Sequence, residues 1–185
     1  MNCTWPGIDE QMLNYHAHEW GVPVHDDRKH FEFIVLDSFQ AGLSWKTILH
    51  RRNHFKKAFA NFDVKKVAKF TDEQVLELMQ NEGIIRNKLK ITGTIKNAKA
   101  FIDIQQEFGS FDAFIWQFVD NKTINNKCRT STDVKATSAE SDAMSKALKK
   151  RGFSFVGSTI CYAYMQAAGL VNDHLMTCSY YKNNL

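Results

Sequence analysis

Along most of the chain, apolar positions recur at three- and four-residue steps, and strict alternation never lasts more than a few residues. This periodicity predicts an all-α protein. A first short helix is expected from Ile8 to His16, capped by Asp9, with Trp20-Gly21-Val22-Pro23 turning the chain behind it. A second helix, capped by Asp26 or Asp27, runs to about Phe39. A third runs from Trp45 to about Phe59, with Ile48, Leu49 and Phe55 on its apolar face and Arg51, Arg52, Lys56 and Lys57 outside it. Val64 to Phe70 is a further short helix, and the capping box Thr71-Asp72-Glu73-Gln74 opens one that ends near Gln80. A long helix follows from about Ile85 to Phe108, then a short aromatic one capped by Ser110. Val119 to Ala136 is polar and irregular and reads as a loop, long enough to suggest a function of its own. Thr137-Ser138-Ala139-Glu140 is a second capping box, for a helix to about Lys150. Gly152 to Gly157 forms a hairpin, and Thr159 to Ala168 the last helix.

A chain of 185 residues, 44% hydrophobic and 24% charged, has the makings of one solid core or two small lobes sharing a cleft. No apolar run approaches the length of a membrane span, and the start of the chain lacks the pattern of a secretion signal. A cytoplasmic protein with no membrane partner is expected. The net charge of +4 permits nucleic-acid binding without demanding it. Cys3, Cys128, Cys161 and Cys178 then read as thiols or metal ligands rather than disulfides.

Three stretches carry candidate chemistry. In Leu36-Asp37-Ser38-Phe39-Gln40-Ala41-Gly42-Leu43-Ser44-Trp45 a carboxylate sits at the apolar end of a helix. Gly42 then breaks the helix, Leu43 is left bare, and Ser44 restarts it at Trp45. An acid, an apolar wedge and a large aromatic at one corner outline a site for a flat, nitrogen-rich ligand. A helix end with a solvated Asp and a core Trp is the plainer alternative. The second stretch ends a helix in Lys149, Lys150 and Arg151, turns through Gly152 and Gly157, and starts another helix. That arrangement suits a helix–hairpin–helix gripping DNA phosphates, or equally an ordinary helical hairpin with a wet basic end. Arg86, Lys88 and Lys90 offer further phosphate contacts or a solvated helix face. Third, His174 and Cys178 stand four residues apart, and Cys3 and His16 lie at the other end of the chain. They are either four unrelated residues or a closed Cys2His2 set suited to a structural Zn2+.

Taken together, the chain resembles the DNA-3-methyladenine glycosylase I family of the helix–hairpin–helix glycosylase superfamily. The resemblance rests on Cys3-Thr4-Trp5, on Tyr15 through Gly21, on Gln40 through Trp45 and on Gly83-Ile84-Ile85-Arg86. It continues through Ser145 to Phe153, Phe155-Val156-Gly157, Gly169 to His174 and Cys178. It covers nearly the whole chain, leaving out the polar loop from about Asn121 to Ala136.

The resemblance implies a single glycosylase domain over residues 1–185, an all-α, two-lobed helical bundle with the helix–hairpin–helix at about 138–168. It implies a structural zinc on Cys3, His16, His174 and Cys178 that ties the ends 3–16 and 174–178. It implies an enzyme that flips 3-methyladenine out of double-stranded alkylated DNA and hydrolyses its glycosidic bond, leaving an abasic site and the free base. Asp37 and Tyr15 take the catalytic roles, and Trp45, Trp20 and Trp5 hold the base. Gly42 and Leu43 plug the duplex, while Lys149, Lys150, Arg151 and Gly157 hold the DNA. The family usually has Glu where this chain has Asp37, which withdraws the carboxylate by about one C–C bond, roughly 1.5 Å. Asp173, beside a ligand candidate, reads as structural support. A monomer is expected. A non-catalytic damage-binding protein on the same scaffold is the alternative.

Overall fold

The computed structural model describes residues 3–181. It is helical almost throughout: α1 Glu10–His18, α2 Asp27–Gln40, α3 Trp45–His50, α4 Arg52–Ala58, α5 Val64–Val67, α6 Asp72–Gln80, α7 Lys88–Phe108, α8 Phe111–Ile115, α9 Ala139–Lys150 and α10 Ser158–Ala167. Among the described residues no helix is long and apolar enough to cross a membrane.

Helix α2 is the centre. His30, Phe31, Phe33 through Phe39 are all buried, so the helix is covered on every side rather than along one stripe. Aromatic side chains do much of the covering. Phe31 meets Phe101 of α7 edge-on at 5.4 Å, and Phe39 meets Phe55 of α4 at 4.8 Å. The buried His30 is held by Tyr164 of α10 at 2.6 Å and by Asp112 of α8 at 3.0 Å. One continuous core runs from α2 through α7 to α10, so the two lobes expected from the sequence share their interior.

Several boundaries differ from the pattern, each for a local reason. The cap of α2 is Asp26, whose side chain accepts from the Lys29 amide. The third helix is two, broken at Arg51, where φ is −98° and ψ 1°. Arg52, expected on the wet face, is turned inward and paired with Glu19 and Glu32. Burial pushes Glu19 up, but hydrogen bonds from Arg52 and Lys29 outweigh it and hold the group at about 2. The long helix starts at Lys88 because the Asn87 side chain caps it. The second capping box is shifted by one residue: Ser138 and Ser141, not Thr137 and Glu140, exchange the bonds.

The largest departure is in the polar loop. Ile124–Asn125 forms a short strand, β1, paired in parallel with Val171–Asn172, β2. The pairing draws the loop against the C-terminal segment beyond α10. Two residues of strand carry no readable alternation.

Candidate active site

The corner after α2 is a tight turn. Ala41 has φ −47° and ψ 115°, Gly42 has φ +78°, and the Leu43 amide donates to the Gln40 carbonyl at 2.6 Å. A turn of this kind needs a positive φ at its third position, which glycine supplies without strain. It leaves Gly42 and Leu43 exposed. Ser44 then caps α3, accepting from the Thr47 amide, and aims Trp45 back toward α1. Lys90, a candidate phosphate contact by sequence, is buried here instead. Its ammonium donates to the carbonyls of Phe39 at 2.7 Å and Ala41 at 2.6 Å, closing the end of α2. Burial lowers its pKa.

Beneath this corner lies a cavity of about 290 Å³ lined by Trp5, Tyr15, Trp20, Asp37, Gln40, Trp45, Ser131, Val134, Ala163 and Gln166. Its volume is at the small end of ligand sites. The rings form a box: Tyr15 and Trp45 have centroids 5.0 Å apart, and Trp5 and Trp20 likewise 5.0 Å. Asp37, at 2% exposure, forms part of the wall. Its Oδ2 is buried without a hydrogen-bond partner, and so is the indole Nε1 of Trp45. Burial raises the Asp37 carboxyl well above the ordinary range of an aspartate. Burial, and then the neighbouring Asp37, likewise raise Tyr15, so its phenol keeps its proton and can donate it in a hydrogen bond. Thus all five residues expected around the base do meet, and Asp37 is an acid sealed in an aromatic box.

The hairpin between α9 and α10 is well anchored. The Gly152 amide donates to Lys149 at 2.9 Å and the Phe153 amide to Leu148 at 3.0 Å, with φ +91° at Gly152, a glycine-terminated helix end. The Asn97 side chain of α7 grips Ser154 twice, at 2.7 Å and 3.0 Å. Gly157 caps α10, and a side chain placed there would meet nothing within 4 Å, so that helix start is open. Lys149 and Lys150 are exposed. Arg151 is held by both oxygens of Glu107, at 2.6 Å and 2.8 Å, and lies over Phe108 and Phe114.

Cys3, His16, His174 and Cys178 are brought together, all buried, their ligand atoms within 4.8 Å of one another. Cys3 Sγ is 4.0 Å from His174 Nδ1 and Cys178 Sγ 3.7 Å from His16 Nε2. Tetrahedral zinc with bonds of about 2.0–2.3 Å separates its ligands by roughly 3.3–3.8 Å, so a small contraction closes the set. Burial lowers both imidazoles, His16 to about 4, which leaves them neutral and able to ligate at pH 7. The other nitrogen of His174, Nε2, lies 3.0 Å from the Trp20 carbonyl, which fixes its proton there and frees Nδ1. The donor chemistry fits a metal ion. His18 and Cys161 stand outside the cluster. Cys161 is a buried thiol against the Val156 carbonyl.

Asp173 is buried and accepts from Asn126, Tyr162 and Gln166, in keeping with a structural role. The sequence reading assigned no role to Gln40, Ser131, Val134, Ala163 or Gln166 in the cavity wall. Ala163 and Gln166 share one face of α10 by their three-residue spacing, a usable signal; Ser131 and Val134 belong to the loop and had none.

A helical fold with a buried acid inside a box of indoles and a phenol, beside an exposed glycine–leucine turn, defines a cavity whose chemistry suits one flat, cationic heterocycle. Comparison with known proteins narrows this. The family model for methyladenine glycosylase matches residues 5–182. DNA-3-methyladenine glycosylase 1 of Escherichia coli (strain K12) is 46% identical over 182 residues, covering 98% of this chain and 97% of the relative. The DNA-3-methyladenine glycosylase of Haemophilus influenzae (strain Rd) is 46% identical over 176 residues, 95% of each. A solved structure on 3-methyladenine recognition by the Staphylococcus aureus glycosylase I superposes with a TM-score of 0.95 at 33% identity, covering 97% of this chain and 96% of that one. The chain belongs to the methyladenine glycosylase family.

Proposed function

We propose that the protein is a DNA repair glycosylase that extrudes 3-methyladenine from alkylated duplex DNA and releases it by hydrolysis, leaving an abasic site. The observation that carries the reading is the aromatic cavity with Asp37 in its wall. Methylation at N3 leaves the adenine ring positively charged while it is still attached to the sugar. When the C1′–N9 bond breaks, the bonding pair goes to N9 and the base leaves neutral. No acid is needed to protonate it. Water adds to C1′ and gives up its proton to solvent.

The protein's work is extrusion and selection. Trp45, Trp20 and Trp5 present faces on which a cation is held. The arriving charge favours the ionised form of Asp37, which accepts from the exocyclic amine, and Tyr15 donates a hydrogen bond to the ring. Unmodified adenine has no charge to offer Asp37 and keeps its strong bond. Leu43, on its glycine turn, fills the gap in the base stack, a few kcal/mol being needed to unstack the lesion. Gly157 and the first amides of α10, with Lys149 and Lys150, hold phosphates in the manner of a helix–hairpin–helix. Arg151, tied to Glu107, steadies the hairpin.

The Cys3, His16, His174 and Cys178 cluster holds a structural Zn2+, all four positions being filled by protein. The protein acts as a monomer, and a DNA substrate places it in the cytoplasm. The test is to incubate it with methylated duplex DNA and chromatograph the free bases. Release of 3-methyladenine that slows in Asp37→Asn supports the reading. Tight binding to the duplex with no free base reduces the protein to a damage-binding one.

A further inference from the structure

Gln166 enters the cavity wall from α10. Its side-chain nitrogen donates to Asp173 Oδ2 at 2.8 Å. Asp173 also accepts from Tyr162 Oη at 2.9 Å and from Asn126 Nδ2 at 2.6 Å. Asn126 follows directly on β1, so the strand pairing that pulls the polar loop inward is what delivers it. Every one of these partners is a donor and a carboxylate accepts, so the Gln166 amide has one workable orientation: nitrogen on Asp173, oxygen left over. Among the described residues that oxygen accepts no hydrogen bond. Gln166 therefore offers a ligand an acceptor and nothing else.

We propose that Gln166 is a specificity-determining residue, with Asp173 as its positioning residue, that selects a base bearing an exocyclic amine at C6 over one bearing a carbonyl there: 3-methyladenine over 3-methylguanine. The inference rests on the base-release reading above. An amine at C6 has two N–H groups, and Asp37 and Gln166, both in the cavity wall, can each accept one. A carbonyl at C6 sets lone pairs against both. Asp37 makes this choice only once it is ionised. Burial favours its protonated form in the empty site, and a protonated carboxyl can donate to a carbonyl as readily as accept from an amine. Gln166 has no such freedom, because its donor is spent on Asp173. A site built around a fixed acceptor rejects the wrong partner by leaving a buried polar group unpaired.

The test compares 3-methyladenine and 3-methylguanine released from one batch of dimethyl-sulfate-treated DNA by the wild type, Gln166→Ala, Gln166→Leu and Asp173→Asn. Circular dichroism and Tm check that each variant folds. In both Gln166 variants the preference for 3-methyladenine should narrow roughly tenfold, the worth of one hydrogen bond. Asp173→Asn lets the Gln166 amide turn over and donate into the cavity, so 3-methylguanine release should rise relative to 3-methyladenine. Binding of the two free bases, followed by tryptophan fluorescence quenching, reads the same selectivity without catalysis. It keeps the test alive where Asp173→Asn does not fold. An unchanged base preference in folded Gln166→Ala and Gln166→Leu overturns the inference. Failure of the wild type to release either base while free-base selectivity still depends on Gln166 overturns the enzyme reading and leaves this one standing.

Discussion

Replacing Asp37 by Asn removes a carboxyl whose charged form the folded protein has no good way to bury. The side chain is 2% exposed, its Oδ2 has no partner, and burial raises its pKa well above the ordinary 3.8. Between 3.8 and that raised value the unfolded chain has lost the proton while the folded chain keeps it. Stability must therefore fall as pH rises through the window, by about 1.4 kcal/mol per pH unit. Below 3.8 both states carry the proton and the loss disappears. Asn has no proton to lose, so Asp37→Asn should be more stable than the wild type above this point. For a chain of this length about 1 kcal/mol moves Tm by roughly 2–4 °C, so the two melting curves should separate by about 3–6 °C for each pH unit. Scanning calorimetry of both proteins from pH 4 to 7, without DNA and with metal content held equal, measures it. Activity should move the other way: release of 3-methyladenine should slow roughly ten- to hundredfold, the loss of a hydrogen bond to a charged group. A stability difference that stays flat with pH, or a variant less stable than the wild type at pH 7, refutes the view of Asp37 as a strained acid waiting for a cation.

Other substitutions test neighbouring parts. Lys90→Met strips the Phe39 and Ala41 carbonyls of their donor, and should lower stability by about 1–3 kcal/mol and weaken duplex binding, seen by denaturant melting and DNA titration. Leu43→Ala changes an exposed side chain, so its melting curve should match the wild type to within about 0.5 kcal/mol while affinity for methylated duplex falls; equal affinity removes Leu43 as the wedge. At Gly169, φ is +71° and an added Cβ would sit 2.3 Å from the Val22 carbonyl carbon, so Gly169→Ala should destabilise by more than about 3 kcal/mol in urea unfolding.

The helices were legible in the sequence because their periodicity and caps are local. Asp9, Thr71 and Ser110 cap where the pattern places them. The aromatic residues and acid of the site were legible through one short motif and the family resemblance, and the structure brings them to one cavity. Lys90 and Arg52 were misplaced for a common reason. Both stand in runs of cations that look like wet helix faces, and only the tertiary structure shows the carbonyls and carboxylates that draw them in. The pairing of β1 with β2 had no local signal at all. A two-residue parallel ladder depends on partners 47 positions apart in sequence, Ile124 with Val171, and the side chain it delivers, Asn126, meets Asp173 and Tyr162 rather than the cavity wall.

The Cys3, His16, His174 and Cys178 cluster and the aromatic cavity are built partly from the same stretch of chain, which would couple a bound metal to the shape of the cavity. Cys3 and His16 flank Trp5 and Tyr15, the His16 ring is stacked 5.9 Å from Trp20, and His174 Nε2 lies against the Trp20 carbonyl. Trp5, Tyr15 and Trp20, three walls of the aromatic box, thus share a segment with two of the four cluster residues. If a metal clamps it, removing the metal should do more than lower Tm. Dialysis against a strong chelator, or Cys3→Ser, should weaken binding of free 3-methyladenine in step with loss of bound zinc, measured by elemental analysis beside tryptophan fluorescence. Readdition of Zn2+ should restore both in the dialysed protein. Base affinity that survives complete loss of metal would mean that the packing of Trp5, Tyr15 and Trp20 holds the box alone, and that the cluster serves only to fasten the C-terminal segment.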